Sequence, residues 1–169
     1  MLGVPAKVAI RTVRASDAPA LAAVFGDSWR LAYTGLIPTP HLDRVIGRRS
    51  EAWWLSASRA KERHIVLEFE GKVAGYASFG PARTRGRVQG EIYELYLGPI
   101  YQGVGLGEHL FEACRHQLDR ARCKGLIVWA LADNTQATNF YWRRGGRPVA
   151  SITEIFGGKK LEKIAFTWP

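Results

Sequence analysis

The chain has 169 residues, of which 47% are hydrophobic and 23% charged, and this balance fits one soluble domain with a sizeable core. Its apolar runs are far shorter than the ~20 residues needed to cross a bilayer, and residues 1–10 lack the apolar core of a signal peptide. Two cysteines are too few for a disulfide framework or a cysteine-rich metal site, so we expect a cytoplasmic protein without a metal ion. The net charge of +9 would attract a polyanion, either a nucleic acid or a phosphorylated cofactor.

The chain opens with a predicted strand and two helical regions. Residues 6–13 alternate apolar and polar side chains, which indicates a half-buried strand. Ser16-Asp17 can cap a helix whose apolar spacing continues to about Tyr33. A second helical region spans about residues 40–58, and Gly47 is the place where it could divide in two.

Three strands follow these helices. Residues 64–70 and 72–80 flank a tight turn and are predicted to pair as an antiparallel hairpin. A polar, basic loop at residues 83–90 leads to a strand at residues 91–97, which Pro99 ends.

The second half of the chain alternates helices with strands. Residues 106–121 carry apolar side chains at helical spacing, and Cys114 lies on the apolar face, where a buried structural thiol is a better interpretation than a nucleophile. The remaining elements are a buried strand at 126–131, a short helix at 134–144 and two closing strands at 149–156 and 161–168. This order of hairpins and crossovers predicts a mixed sheet with helices on both faces.

The segment Gln102-Gly103-Val104-Gly105-Leu106-Gly107 joins a strand to a long amphipathic helix. Glycines let the backbone approach a ligand closely, and the helix start offers unpaired N–H groups, so the segment is typical of a phosphate site. It is not a Walker loop, because Glu108 and His109 stand where Lys and Ser/Thr are required. Nor does the spacing of its glycines fit the dinucleotide pattern G-x-G-x-x-G.

Two segments resemble motifs of the GNAT superfamily of N-acetyltransferases. Residues 91–107 are similar to its acetyl-CoA-binding motif, a strand followed by Gln/Arg-x-x-Gly-x-Gly/Ala, whose fixed positions hold Gln102, Gly105 and Gly107. Residues 134–146 are similar to the family's Asn-x-x-Ala-x-x-Phe-Tyr-x-x-x-Gly-Phe, with Gly146 as the one departure, where an aromatic residue is usual.

The resemblance implies a single domain over residues 1–169, since the order of predicted elements matches the family fold over nearly the whole chain. That fold is α/β, with a mixed, mostly antiparallel sheet of about seven strands, about four flanking helices and a splayed strand pair at the cofactor site. It implies acetyl-CoA as co-substrate and transfer of the acetyl group to a primary amine by direct attack in a ternary complex. The acceptor would be a small molecule or a protein N-terminus.

The resemblance also implies where acetyl-CoA binds. Backbone groups of residues 95–97 would hold the pantetheine arm, the Leu97 N–H would polarise the thioester carbonyl, the amides of residues 102–107 would hold the pyrophosphate, and Asn134 would bind the pantetheine side. The implied cofactor-binding residues are Leu95, Tyr96, Leu97, Gln102, Gly103, Val104, Gly105, Leu106, Gly107, Asn134, Ala137, Phe140 and Tyr141.

Acyl transfer to an amine needs a proton acceptor for the ammonium and a proton donor for the departing thiolate. Tyr141 stands where the family often has a tyrosine near the thioester sulfur, so the resemblance implies that it is the general acid. Glu91 and Glu94 lie three apart on the strand before the site, and an ideal strand would point them to opposite faces unless a bulge changes the parity. Glu94 is nearer the thioester and is the candidate base, with a salt-bridged structural carboxylate as an equal alternative.

The acceptor side is expected near the N-terminal helices. Trp29 and Tyr33 cluster beside a Gly/Pro break and, with Glu91, are the candidate substrate-binding residues, although the two aromatic residues could equally belong to the core. The expected partner is a small-molecule amine or a peptide N-terminus, without a membrane, and a homodimer is compatible with the sequence.

Two other functions fit parts of the sequence. A nucleic-acid-binding domain could use the arginines at 83, 85, 87, 143, 144 and 147, but no known nucleic-acid-binding motif accompanies them. An acyl-CoA sensor could keep the cofactor site without catalysis, and the intact glycine segment and Tyr141 argue against it.

Overall fold

The protein is described by a computed structural model that covers residues 3–59 and 63–169; the first two residues of the segment considered as a signal peptide lie outside it. The order of helices and strands along the described chain agrees with the order predicted from the sequence. They are β1 (Val8–Thr12), α1 (Ala18–Tyr33), α2 (Thr39–Arg48), α3 (Glu51–Arg59), β2 (Arg63–Phe69), β3 (Lys72–Pro81), β4 (Gly90–Leu97), α4 (Leu106–Arg120), β5 (Leu126–Leu131), α5 (Thr135–Arg143), β6 (Arg147–Phe156) and β7 (Lys159–Trp168).

The described strands form a seven-stranded sheet in the order β1-β2-β3-β4-β5-β7-β6. Neighbouring strands are antiparallel except for β4 and β5, which run parallel. This pair is registered only at Gly90 with Leu126 and at Glu91 with Ile127, after which the two strands separate. The mostly antiparallel sheet and the splayed strand pair predicted from the sequence are both confirmed.

A bulge in β4 decides which way its two glutamates face. Gly80 pairs with Glu91 and Ser78 pairs with Glu94, so the interval on β4 is one residue longer than on β3, and Tyr93 is the extra residue. Ser78 and Gly80 are two residues apart on β3, so they and the residues paired with them lie on the same face of the sheet. Glu91 and Glu94 therefore share a face, which reverses the parity of an ideal strand.

Each face of the sheet packs against its own helices. One face is covered by α4 and α5, where Leu110, Phe111 and Cys114 are fully buried. Burial raises the pKa of the Cys114 thiol to about 12, as expected for a thiol inside an apolar core. The other face is covered by α1 and α3 through Phe25 and Trp54. Burying a large apolar side chain contributes about 1.5–3 kcal/mol, so both layers hold the sheet in place.

The second helical region is two helices, as the sequence suggested, and the break lies just beyond Gly47. Gly47 lies within α2, and the break falls at Arg49 and Ser50. The Ser50 hydroxyl accepts a hydrogen bond from the Trp53 amide at 3.2 Å, which caps the start of α3 and explains the position of the break. The described chain thus has five α-helices where about four were expected.

Asp17 precedes α1 as predicted, but its carboxylate does not cap that helix. It accepts two hydrogen bonds from Arg11 at 2.8 Å and one from the Arg14 amide at 2.7 Å. Arg11 is the main cause of the lowered pKa of Asp17. The carboxylate therefore ties α1 to β1.

Candidate active site

A cavity of about 400 Å³ lies where β4 and β5 separate. The side of α1 and the starts of α4 and α5 complete its walls, and the volume falls in the range typical of small-molecule sites. Of the residues expected to bind the cofactor, those at the wall are Leu95, Tyr96, Leu97, Gln102, Gly103, Gly105, Gly107, Asn134, Ala137, Phe140 and Tyr141. Val104 is 67% exposed and Leu106 is buried in the core, so neither side chain is brought to the wall.

The glycine segment forms an open turn before α4. Gly103 and Gly105 have φ of 78° and 85°, in the left-handed region that favours glycine, and no atom lies within 4 Å of where a Cβ would stand. Gly105 is the N-cap of α4 and has no side chain to pair with the amides of the first turn. This arrangement fits a phosphate group, which free amides and the positive end of a helix would bind.

Gln102 braces this turn with its side chain. Its Nε2 donates to the Leu97 carbonyl at 3.0 Å, and its Oε1 accepts from Gln136 Nε2 at 3.1 Å. Its backbone amide donates to the Pro99 carbonyl at 3.3 Å, so this amide is already paired. The side chain therefore joins the end of β4 to α5 across the cavity.

Asn134 lies at the N-terminus of α5. Its Oδ1 accepts from the Ala137 amide at 3.3 Å, and its side chain also contacts the Tyr33 hydroxyl. These contacts link α1 to α5 at the cavity wall.

Tyr141 reaches the cavity from an aromatic cluster under α5. Its ring packs at centroid distances of 5.3–6.2 Å against Phe140, Phe111, Phe166 and Trp168. Burial is the main cause of the raised pKa of its phenol, because the charged phenolate would lose its hydration. The hydroxyl is therefore held in its protonated, hydrogen-bond-donating form.

A pair of phenols also lines the cavity. The hydroxyls of Tyr33 and Tyr96 are 2.9 Å apart, and burial raises the pKa of both. Trp29 packs behind them, with ring centroids 4.9 Å from Phe25 and 4.7 Å from Tyr33. The structure thus brings Tyr33 to the cavity and leaves Trp29 packed behind it, outside the cavity wall.

Glu94 lies beside these phenols and lines the cavity. Its carboxylate accepts hydrogen bonds from the Tyr76 hydroxyl at 3.0 Å, the Ser78 hydroxyl at 3.3 Å and Arg49 Nη2 at 3.1 Å. Its side chain is 16% exposed. None of these three partners was singled out from the sequence, because they come from β3 and from the α2–α3 junction.

Glu91 is 1% exposed and lies outside the cavity wall. Its carboxylate accepts from the Arg83 amide at 3.0 Å and from Arg83 Nη2 at 2.6 Å. The Arg83 guanidinium also stacks on the Tyr93 ring, 4.3 Å from its centroid. The structure therefore places Glu91 in an ion pair that holds the 83–90 loop, and not beside an acceptor.

The three arginines around the end of α5 that were considered for nucleic-acid binding line the cavity or stack on aromatic rings. Arg143 and Arg144 line the cavity, and Arg144 stacks on Phe140 and pairs with Glu108 at 3.5 Å. Arg147 stacks on Trp142, 4.1 Å from its ring centroid. Their distribution favours a phosphorylated ligand in the cavity over a polynucleotide on the surface.

Behind Tyr33, two distant parts of the chain pack against each other. Leu42 of α2, Leu131 of β5 and Leu161 of β7 form one buried cluster with Tyr33. At the tip of the β6–β7 hairpin, the Phe156 ring meets His41 of α2 at a centroid distance of 6.0 Å. Of these residues, Tyr33 lines the cavity.

Comparison with known proteins decides the family. Residues 25–146 match the sequence profile of the Acetyltransferase (GNAT) family. The chain belongs to this family. It is therefore an enzyme of the N-acyltransferase class, and its cavity occupies the splayed strand pair that the family resemblance implied.

Three relatives illustrate the similarity. The chain is 29% identical over 163 residues to the uncharacterized N-acetyltransferase YuaI of Bacillus subtilis, covering 96% of this chain and 93% of that one. It is 31% identical to the L-amino acid N-acyltransferase MnaT of Escherichia coli, covering 78% and 74% of the two chains. It shares the fold of the PaiA N-acetyltransferase from Thermoplasma acidophilum, solved in complex with coenzyme A, with a TM-score of 0.71, 17% identity and coverage of 93% and 98%.

Within residues 3–59 and 63–169, no group of three or more His, Cys, Asp and Glu side chains is placed to hold a metal ion. In the same residues, no helix has the length and apolar character needed to span a bilayer.

Proposed function

We propose that this GNAT enzyme moves an acetyl group from acetyl-CoA to the primary amine of a small molecule, in a complex that holds both substrates. One observation carries the proposal: a single cavity joins an open glycine turn at a helix N-terminus to a carboxylate, Glu94, at its other end. The turn suits the pyrophosphate, the gap between β4 and β5 suits the pantetheine arm, and the carboxylate suits an ammonium.

Each reactive proton has a candidate partner at the wall. The acceptor nitrogen forms a bond to the acetyl carbonyl carbon, and the carbon–sulfur bond of the thioester breaks. Glu94 takes the ammonium proton, directly or through water, because only the neutral amine can attack. Tyr141 donates its proton to the departing thiolate. The proton that the nitrogen loses after attack returns to Tyr141 through water, and Glu94 releases its own to solvent. The Leu97 amide is the candidate donor to the carbonyl oxygen.

The acceptor end favours a small amine over a protein N-terminus. The whole cavity measures about 400 Å³ and must also hold the end of the pantetheine arm. The room left for the acceptor therefore suits a small amine better than a peptide.

The test is release of free thiol from acetyl-CoA against a panel of small amines, amino acids and short peptides, with the product identified by mass spectrometry. We expect thiol release and an acetylated product with at least one small amine and weaker activity with peptides. Tight binding of acetyl-CoA without thiol release across a broad panel would support a sensor instead. A fluorescence shift with labelled DNA or RNA at moderate salt would support the nucleic-acid alternative.

A further inference from the structure

Arg49 occupies the break between α2 and α3, and three aromatic rings hold its guanidinium. The Cζ atom lies 3.9 Å from the ring centroid of Trp53, 4.7 Å from that of Phe25 and 5.6 Å from that of Trp54. Contacts of this kind attract a cation and fix the plane of a guanidinium. The aromatic rings thus aim Arg49 in one direction, toward β4.

The group at which Arg49 aims is the Glu94 carboxylate. Nη2 lies 3.1 Å from each carboxylate oxygen, while the Tyr76 and Ser78 hydroxyls donate to one oxygen each. Arg49 itself does not line the cavity, whereas Glu94 does. The carboxylate therefore lies between the guanidinium and the space that an acceptor would occupy.

We propose that Arg49 is a positioning residue for acetyl transfer, which holds the Glu94 carboxylate at the cavity wall in the orientation that receives the acceptor ammonium. This inference rests on the proposed function. A glutamate has several rotatable bonds, and two neutral hydroxyls alone do not balance its charge in a partly buried site. A guanidinium fixed by aromatic rings supplies both the balancing charge and the direction.

The protein contains a matched ion pair away from the cavity. Arg11 is 18% exposed and pairs with Asp17 at 2.8 Å, while Arg49 is 23% exposed and pairs with Glu94 at 3.1 Å. Neither Arg11 nor Asp17 lines the cavity. The Arg11→Met variant therefore shows how removal of a partly buried arginine affects the fold, without a change at the cavity.

The split between two kinetic constants gives a signature that instability would not produce. Arg49 is the cation in direct contact with the Glu94 carboxylate, and it does not line the cavity. Its removal leaves the glycine turn unchanged and frees the carboxylate to rotate. The kcat/KM for the acceptor should therefore fall while the KM for acetyl-CoA stays the same.

The experiment compares Arg49→Met, Arg49→Lys and Arg11→Met with the wild type in steady-state transfer. We expect Arg49→Met to lower kcat/KM for the acceptor by about 10- to 100-fold, the effect of one hydrogen bond to a charged group. The KM for acetyl-CoA should stay near the wild-type value. Arg49→Lys should restore part of the loss, and Arg11→Met should leave the kinetics near those of the wild type.

Thermal melting of each variant accompanies the kinetics. If Arg49→Met melts below the assay temperature, Arg49→Lys decides the question by a lower kcat/KM for the acceptor at an unchanged KM for acetyl-CoA. If the wild type is active and its Arg49 variants have the same kcat/KM as Arg11→Met, the positioning role is overturned and the proposed function is not. A wild type that releases no thiol with any amine would overturn the proposed function as well.

Discussion

At the scale of single residues, Tyr141 combines an apolar environment with access to the cavity. Burial, followed by the nearby Tyr33 and Cys114 side chains, raises the pKa of its phenol. A group with a raised pKa keeps its proton as the pH rises, so the form that can donate to a thiolate persists beyond neutral pH. The environment therefore keeps Tyr141 as a hydrogen-bond donor toward the cavity and leaves it unsuited as a general base.

Replacing Tyr141 with Phe removes the hydroxyl and keeps the ring in its aromatic cluster. We expect turnover to fall by about 10²–10⁴-fold, the usual contribution of general acid catalysis, with little change in acetyl-CoA affinity. Steady-state kinetics and calorimetric titration separate the two effects. Tyr101→Phe is the control, because this tyrosine lies outside the cavity wall; equal losses in both variants would reduce Tyr141 to a packing residue.

Glu94 lends itself to a test by pH. In Glu94→Gln the loss in kcat/KM should be greatest at low pH, where the amine is almost wholly protonated, and should shrink at high pH, where the free amine is abundant. Glu91→Gln is the informative comparison, since both glutamates lie on one face of β4. A pH-dependent loss in Glu91→Gln and only a uniform one in Glu94→Gln would assign the base to Glu91.

At the scale of elements, the packing of α5 on β7 accounts for the departure of the sequence from the family motif. A Cβ at Gly146 would lie 2.5 Å from Trp168 Cζ2, and the Trp168 indole donates to the Arg144 carbonyl at 2.9 Å. The Trp168 ring thus occupies the space beside this position, where the family usually has an aromatic side chain. Here the aromatic ring in that space belongs to Trp168 of β7, so position 146 has room only for a glycine.

This packing predicts the effect of Gly146→Ala. The added methyl group must push the indole away, and overpacking of this kind costs about 1–3 kcal/mol. For a domain of this size the melting temperature should fall by roughly 2–4 °C for each kcal/mol. Gly47→Ala is the control, since no atom lies within 4 Å of its Cβ position and it sits inside α2. A Gly146→Ala protein as stable as the wild type would show that Trp168 does not fill this space in solution.

The two ends of the cavity differ in how much the sequence reveals. The cofactor end could be predicted because residues 102–107 and 134–141 are two continuous segments, each at the start of a helix. The acceptor end could not, because Glu94, Tyr76 and Arg49 come from three elements that meet only through strand pairing. The bulge at Tyr93 leaves no mark on the apolar pattern, so the parity of Glu94 was open.

At the scale of the whole molecule, the element order and the sheet were predictable because hairpins and helical periods are local in sequence. The division of the second helical region near Gly47 was predictable, but its exact residue was not, because an exposed glycine can continue a helix and Ser50 caps the next one. The positive net charge agrees with a phosphorylated ligand, and two arginines at the cavity wall give that charge a place to act.

The central claim is that acetyl-CoA binds at the glycine turn between β4 and α4, and calorimetric titration of acetyl-CoA against Gly105→Val and Gly158→Val tests it most directly. Both glycines have φ of 85° and open space at the Cβ position, so both substitutions strain the backbone alike. Only Gly105 lines the cavity. We expect Gly158→Val to bind acetyl-CoA like the wild type and Gly105→Val to bind it at least about tenfold more weakly, a difference of ~1.4 kcal/mol. A folded Gly105→Val protein with wild-type affinity would contradict the account.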